Sequence, residues 1–311
     1  MTLEPNIGLY GDSARLSAAT DFLELAALCS HNDRSPLLSN FVEYLDDPGI
    51  DLSKMQGKLG ERDRTFGKEE VRDQIVNNVI KMRSDVLGNG LYPFELKDDN
   101  SRLVYDSSVD PFDSAYVEVL CTSLCHSYKS FGGDAEGHFE KVVKEAVTDF
   151  FDRGNSEQFS PNGRGIEPFR KEVKRVGTMI GLGGEIDPSI TSSGANDGGL
   201  DIVTWWGVDD GRAGQVVFLG QATCGKTGTW KAKIHDFGLG IWKQNFNLNV
   251  TPFGFLAVPY HADTDYLRKI TFKFEKRFVL DRLRIVWMLR EATGDGGGFL
   301  EELRSKGVVD V

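Results

Sequence analysis

Two short apolar segments joined by a polar turn restrict the fold of this chain more than any other feature. Residues 200–206 and 215–219 are rich in β-branched and aromatic side chains, and residues 208–214 between them read Val-Asp-Asp-Gly-Arg-Ala-Gly. A glycine-containing turn between two such segments is typical of a β-hairpin. The pattern therefore predicts two antiparallel strands in the second half of the chain.

Apolar side chains at helical spacing surround this hairpin. They predict helices at 137–151, 167–180, 229–245 and 267–289, and a third strand is predicted at 253–258. The N-terminal part has helical periodicity at 21–30, 68–87 and 114–126, with two short strands within 91–105. Asp21 is interpreted as the N-cap of the first helix. We therefore predict an α/β protein with a mixed sheet flanked by helices, preceded by a mainly helical domain.

Charge is distributed unevenly along the chain and favours a division near residue 130. The formal net charge is −11, and residues 1–130 contain 22 acidic and 13 basic side chains. Residues 131–311 contain 25 acidic and 23 basic side chains, and 261–290 alone contain eight basic and four acidic ones. We predict an acidic docking or regulatory domain over 1–130 and a functional domain over 131–311. The basic segment is compatible with binding to nucleic acid.

The sequence also predicts the cellular location. It contains no run of 18 apolar residues, and its N-terminus lacks the basic-then-apolar pattern of a signal peptide. The four cysteines fit reduced thiols better than a disulfide framework in a chain of this length. We expect a cytoplasmic protein that does not associate with membranes.

Asp201 and Gln221 are the strongest candidates for a functional site. Asp201 follows Gly198 and Gly199 at the start of the first predicted strand, and Gln221 follows the second strand. Adjacent antiparallel strands bring these two positions to the same edge of a sheet, where their side-chain oxygens converge. Mg²⁺ binds oxygen ligands and commonly completes its shell with water and a substrate phosphate. The two residues therefore predict a magnesium site at this edge.

These residues resemble the PD-(D/E)xK nuclease superfamily, and in particular its Mrr-like restriction-endonuclease branch. In that family a helix carrying Phe-Glu precedes a glycine-rich turn, an Asp on a strand, and a Glu or Gln on the next strand. Phe139-Glu140, Asp201 and Gln221 match these positions. A looser group of similar bacterial proteins also has a Trp-x-x-Lys and a later Asp-Arg-x-Arg, which match residues 230–233 and 281–284. The resemblance covers about 137–290.

The resemblance implies a restriction-endonuclease-like fold and Mg²⁺- or Mn²⁺-dependent hydrolysis of DNA. The metal ligands it implies are Glu140, Asp201 and Gln221. It further implies a role in bacterial defence against phage or foreign DNA, with an ATPase, a helicase or another defence subunit as protein partner. Self-association into a homo-oligomer is left open.

The lysine of the family motif is displaced in this chain. The pattern has lysine two residues after the Glu or Gln, and this chain has Thr223 there. Lysines at other positions occur in the superfamily. Lys233, one turn into the predicted helix that follows, and Lys226, in the loop, are the two candidates for supporting the attacking water.

Two alternatives stay open at the level of the sequence. Residues 220–227, Gly-Gln-Ala-Thr-Cys-Gly-Lys-Thr, match the phosphate-binding loop of P-loop NTPases after a strand and before a helix. Against that interpretation, the preceding hairpin predicts an antiparallel neighbour for this strand, whereas a P-loop strand lies in a parallel sheet. The displaced lysine also leaves open a catalytically decayed nuclease fold that serves as a scaffold or DNA-binding subunit.

Overall fold

The structure is a computed structural model. It describes residues 15–30, 38, 68–88, 90–127, 134–151, 154–182, 198–207, 210, 212, 214–225, 227–236, 238–262, 264–273, 275–290, 300–301 and 304–305. The chain forms two compact units: unit 1 comprises Met1–Ala135, Pro259–Asp263 and Asp281–Val311, and unit 2 comprises Glu136–Val258 and Thr264–Leu280. Unit 2 therefore begins close to the predicted division at 130. The predicted second domain ran to residue 311, whereas the C-terminal segment groups with unit 1.

The helices, in chain order, are α1 (Arg15–Leu28), α2 (Lys68–Gln74, a π-helical turn Ile75–Ile80, and Lys81–Leu87), α3 (Ala115–Ser127), α4 (Ala135–Phe150), α5 (Ile166–Met179), α6 (Thr227–Asp236), α7 (Leu239–Asn245), α8 (Thr264–Lys273) and α9 (Arg282–Met288). The strands are β1 (Phe94–Lys97), β2 (Arg102–Tyr105), β3 (Asn155–Gln158), β4 (Ile202–Trp206), β5 (Val216–Ala222), β6 (Phe253–Ala257) and β7 (Arg277–Leu280). Among the helices that the structure describes, none is long and apolar enough to cross a membrane.

Unit 1 combines helices with the antiparallel pair β1–β2. The turn between these strands holds Asp98, Asp99 and Asn100 at φ of 51°, 52° and 63°. Asp and Asn tolerate this left-handed region better than other non-glycine residues, so the predicted hairpin is confirmed with its turn. The predicted N-cap is wrong, because α1 begins at Arg15 and Asp21 is buried within it.

A buried network of charged side chains holds unit 1 together. Nη1 and Nη2 of Arg282 donate to the two carboxylate oxygens of Asp21, each at 2.7 Å. Arg83 lies 2.7 Å from Asp21 and 2.8 Å from Glu24. The hydroxyl of Tyr116 donates to Glu24 at 2.8 Å. Burial alone raises the pKa of Asp21, but Arg282 and Arg83 hold it below its usual value.

Unit 2 is built on a five-stranded mixed sheet with the order β3-β4-β5-β6-β7. Strands β3, β4 and β5 are antiparallel neighbours, which confirms the predicted hairpin, whereas β5, β6 and β7 run parallel. The chain is thus a mixed α/β protein whose sheet is flanked by helices, as predicted.

The two faces of this sheet follow from the strand register. Val203 pairs with Leu219 and Trp205 with Val217, and these side chains lie in one core with aromatic side chains of α5 and α7. The neighbouring Trp206 points the other way and is 50% exposed, whereas Trp205 is 8% exposed. Side chains alternate between faces along a strand, so the register also determines which site residues share a face.

Three predicted segments differ from the structure. The predicted helix 229–245 is two helices, α6 and α7. Between the predicted helices 137–151 and 167–180, where the polar sequence is typical of a loop, the structure contains β3. The predicted helix 267–289 is wrong, because α8 ends at Lys273 and is followed by β7 and α9. Lys276 has a φ of 58° in the turn between α8 and β7, a conformation that no helix continues through.

Candidate functional site

Asp201 and Gln221 lie at the same end of the β4–β5 pair. The last residue pair of this antiparallel ladder is Ile202 with Gly220, and Asp201 and Gln221 each lie one position beyond it. The Asp201 N–H donates to the Gly220 carbonyl at 3.0 Å, and the Asp201 carbonyl accepts from the Phe159 N–H at 2.8 Å. Hydrogen bonds to both neighbouring segments therefore hold the backbone of Asp201, although β4 itself begins one residue later.

The Asp201 carboxylate is oriented by a backbone donor. Its Oδ2 accepts a hydrogen bond from the Ala222 N–H at 2.8 Å. Ala222 is the last residue of β5 and lies two positions beyond Gly220, where the ladder with β4 ends. The side chain therefore bends along the end of the sheet rather than extending freely, and its orientation is set before any ligand arrives.

Gly199 leaves room for the Gln221 side chain. A Cβ at position 199 would lie 2.7 Å from Nε2 of Gln221, closer than real Cβ atoms approach such an atom. Gly199 also has a φ of 73°, which favours glycine. Gln221 itself is 9% exposed, so its amide is packed against the turn that leads to Asp201. Gly199, which the sequence places two residues before Asp201, thus has a steric role at the site.

Glu140 lies on α4, and its position differs from that of the other two residues. Its Oε2 accepts a hydrogen bond from Nε2 of Gln158 at 3.4 Å. Gln158 pairs with Ile202, the neighbour of Asp201 in the chain. Ile202 in turn pairs with Gly220, and successive strand residues point to opposite faces, so this hydrogen bond ties Glu140 to the sheet face opposite Gln221.

Of the two candidate lysines, the structure describes Lys233 alone. Lys233 lies on α6, half-buried, one helical turn from the fully buried Trp230. Within the part of the chain that the structure describes, it forms no ion pair. Lys226 lies outside the described residues.

Thr223 occupies the family's lysine position and has a structural role. Its side chain is buried, and its hydroxyl oxygen accepts the Gly225 N–H at 3.1 Å. The indole N–H of Trp230 then donates to the Gly225 carbonyl at 2.7 Å. Together these two hydrogen bonds shape the loop between β5 and α6, and a lysine at 223 could not replace the first of them.

The backbone of this loop argues against a phosphate-binding loop. A P-loop binds phosphate through free backbone N–H groups. Three N–H groups of the matching segment already donate within the protein: Ala222 to Asp201, Thr223 to the Ala257 carbonyl at 3.0 Å, and Gly225 to Thr223. Strand β5 also continues through Gln221 and Ala222, which leaves a shorter loop than the motif requires.

The donor set fits a hard divalent cation in part. Asp201 offers a carboxylate and Gln221 an amide, and both are oxygen donors of the kind that Mg²⁺ prefers. Among the described residues, no group of three or more His, Cys, Asp or Glu side chains could hold a metal ion. A metal at Asp201 and Gln221 would therefore depend on water and substrate oxygens for most of its shell.

The sequence analysis missed a pair of lysines on two neighbouring helices of unit 2. Lys231 of α6 and Lys273 of α8 are both exposed. They lie close enough together that repulsion from Lys231 lowers the pKa of Lys273. Lys273 stood in the basic segment noted above, but its partner lies more than forty positions earlier, and no local pattern connects them.

Comparison of the chain with protein-family models, with curated proteins and with solved structures found no match.

Proposed function

We propose that unit 2 is a metal-dependent DNA endonuclease of the PD-(D/E)xK, restriction-endonuclease-like type. The observation that carries this proposal is the position of Asp201 and Gln221 next to the last residue pair of β4 and β5, with the Asp201 carboxylate held by the Ala222 N–H at 2.8 Å. The chain order also agrees with the resemblance: a helix with Phe139-Glu140, a glycine turn, an Asp before one strand, and a Gln near the end of the next.

The proposed reaction is hydrolysis of a phosphodiester bond. Bound Mg²⁺ or Mn²⁺ would lower the pKa of water and neutralise charge on the phosphate. Asp201 and Gln221 would hold the metal, and the fixed orientation of Asp201 would reduce the rearrangement needed on binding. Lys233 or Lys226 would stabilise the negative charge that develops on phosphorus. Glu140 joins the ligand set in this proposal only if α4 and β3 move relative to the end of β4.

The biological setting rests on the resemblance. We propose a cytoplasmic role in defence against phage or foreign DNA, in which unit 1 docks an ATPase, a helicase or another defence subunit. The experiment below tests cleavage by the isolated chain.

A second function is favoured by one specific observation. Thr223 is buried, its hydroxyl is hydrogen-bonded to Gly225, and lysine is absent from this position. A nuclease fold without its lysine fits a DNA-binding or scaffold subunit. The P-loop alternative is not favoured, because the N–H groups of Ala222, Thr223 and Gly225 are already hydrogen-bonded.

Cleavage of supercoiled plasmid with Mg²⁺ or Mn²⁺ tests the proposal. We expect nicking by the wild type that requires the metal and is lost in Asp201→Asn. Glu167→Gln removes an exposed carboxylate of α5 and serves as the matched control. Equal cleavage by wild type and Asp201→Asn would contradict the site. Metal-independent DNA binding without cleavage by the wild type would support the scaffold function instead.

A further inference from the structure

The surface formed by α6 and α8 has a charge opposite to that of the chain as a whole. Residues 227–236 and 264–280 contain seven basic and three acidic side chains, whereas the chain has a net charge of −11. The two helices pack together through Trp230 and Tyr266, whose ring centroids are 5.5 Å apart at an interplanar angle of 73°. The two helices that carry these basic side chains are therefore neighbours in unit 2.

Four exposed lysines follow this surface, and we call them the lysine ridge: Lys231, Lys269, Lys273 and Lys276. Lys269 and Lys273 are four residues apart on α8, so they lie on the same face of the helix. Lys231 of α6 lies beside Lys273 and lowers its pKa by repulsion. Within the described residues, Lys231, Lys269 and Lys276 form no ion pair with a carboxylate. Two ammonium groups held side by side create a site that an anion would stabilise.

Lys276 supplies an independent observation. It has a φ of 58°, in the left-handed region where glycine or asparagine is less strained than lysine. Its carbonyl accepts the Gly254 N–H at 2.8 Å, so the turn is tied to β6. Lys276 therefore places an exposed ammonium group in the turn that follows α8, in a backbone conformation that is strained for lysine.

We propose that the lysine ridge binds the phosphate backbone of duplex DNA, an inference that rests on the proposed nuclease function. The side chains are exposed lysines, and no base-reading arrangement accompanies them among the described residues. Binding through them therefore follows phosphate charge and is independent of base sequence. The first lysine of the ridge lies on α6, and α6 follows the loop that begins after β5. A duplex bound to the ridge therefore passes near the end of β5, where Gln221 lies.

The test uses the full chain and a fluorescently labelled blunt DNA duplex in EDTA, so that no cleavage occurs. The dissociation constant is measured over a series of KCl concentrations. Each lost lysine–phosphate contact lowers the slope of log Kd against log [KCl] by about 0.9. We expect Lys231→Gln/Lys273→Gln to lower it by about 2. We expect Lys276→Asn to lower it by about 1 without lowering the melting temperature, because asparagine tolerates the turn better.

Lys171→Gln/Lys174→Gln is the matched control, since it removes two exposed lysines of α5 and changes the net charge equally. Its slope should equal that of the wild type. Equal slopes for the wild type and both ridge variants would overturn the proposal. The ridge variants are also tested for binding to polyglutamate. If they lose polyglutamate binding but bind the duplex as the wild type does, the proposal is overturned in favour of an acidic protein partner.

Plasmid cleavage is measured separately, so the two proposals fail in different ways. A wild type that shows the ridge-dependent slope but never cuts supports the ridge and contradicts the nuclease. A wild type that cuts through Asp201 while the ridge variants bind normally supports the nuclease and contradicts the ridge.

Discussion

The Asp201 carboxylate accepts the Ala222 N–H at 2.8 Å, across the end of the β4–β5 pair. Asp201 therefore accepts a hydrogen bond from a backbone donor at the strand end. Its second role, in the proposed nuclease, would be to bind the metal. An isosteric amide keeps the first role, because its carbonyl oxygen still accepts, but loses the negative charge that the second requires.

We therefore expect Asp201→Asn and Asp201→Ala to differ in stability but not in activity. Asp201→Ala leaves the Ala222 N–H without its acceptor and should lower the free energy of unfolding by about 1–3 kcal/mol. Asp201→Asn should be less destabilising. Both should reduce metal-dependent cleavage about 100-fold or more. Urea unfolding and plasmid nicking measure the two effects. Equal loss of stability in both variants would contradict the role given to the hydrogen bond.

Gly199→Ala tests the packing between the glycine turn and Gln221. The new Cβ would lie 2.7 Å from Nε2 of Gln221, and alanine is strained at a φ of 73°. We expect a lower free energy of unfolding and weaker cleavage at a given metal concentration, because the Gln221 side chain must turn away from its position near Asp201. Gly214→Ala is the control: it has a φ of 110° but nothing within 4 Å of its Cβ.

Metal titration of the two glycine variants separates steric from backbone effects. Gly199→Ala should need more Mn²⁺ for half-maximal cleavage, whereas Gly214→Ala should keep the wild-type requirement even if its melting temperature falls. If the two variants shift the Mn²⁺ concentration for half-maximal cleavage equally, the contact between Gly199 and Gln221 does not affect metal binding.

Local sequence patterns predicted the parts of unit 2 that hold the candidate site. The strands around Asp201 and Gln221 are rich in β-branched and aromatic side chains, and their short polar turn determines how they pair. The same reasoning failed over 267–289, because β7 has four residues and is flanked by charged helices. In the structure, two local features mark the true boundaries. Lys276 has a positive φ, and the side chain of Asp281 accepts the Arg284 N–H as the N-cap of α9.

Long-range relationships were beyond the reach of such patterns. Asp21 and Arg282 are separated by 261 positions, and nothing near either one indicates its partner. Asp21 resembled an N-cap because acidic residues are common there, but its burial beside two arginines overrides that local preference. Similarly, the strand register alone shows that Gln158, and with it Glu140, faces away from Gln221.

Arg282→Met should strongly destabilise unit 1. Arg282 donates to both oxygens of Asp21, and the variant would leave Arg83 as the remaining cation beside Asp21 and Glu24 in this network. Breaking a buried ion pair from one side costs about 3–5 kcal/mol. Urea unfolding followed by circular dichroism measures the change. Arg284→Met, an exposed substitution on the same helix, should change stability far less, and similar midpoints for both variants would contradict the prediction.

His261 should make the stability of unit 1 depend on pH. Burial, together with the nearby Arg83 and Arg282, lowers the pKa of His261 well below its usual 6.5. The folded protein also keeps His261 neutral because its Nδ1 accepts a hydrogen bond from Nε of Arg83 at 3.2 Å. In the unfolded chain His261 takes up a proton below about pH 6.5. The unfolded state then binds more protons, so the free energy of unfolding falls as the pH decreases.

We expect this loss to reach at most about 1.4 kcal/mol per pH unit below pH 6.5. His261→Asn keeps an acceptor for Arg83 but cannot be protonated, so its stability should vary less between pH 7.5 and about 5 than that of the wild type. His235→Asn, an exposed histidine of α6, should retain the wild-type dependence. Urea unfolding of the three proteins across this range decides the matter: parallel curves for wild type and His261→Asn would show that His261 is not the group that links acid to unfolding.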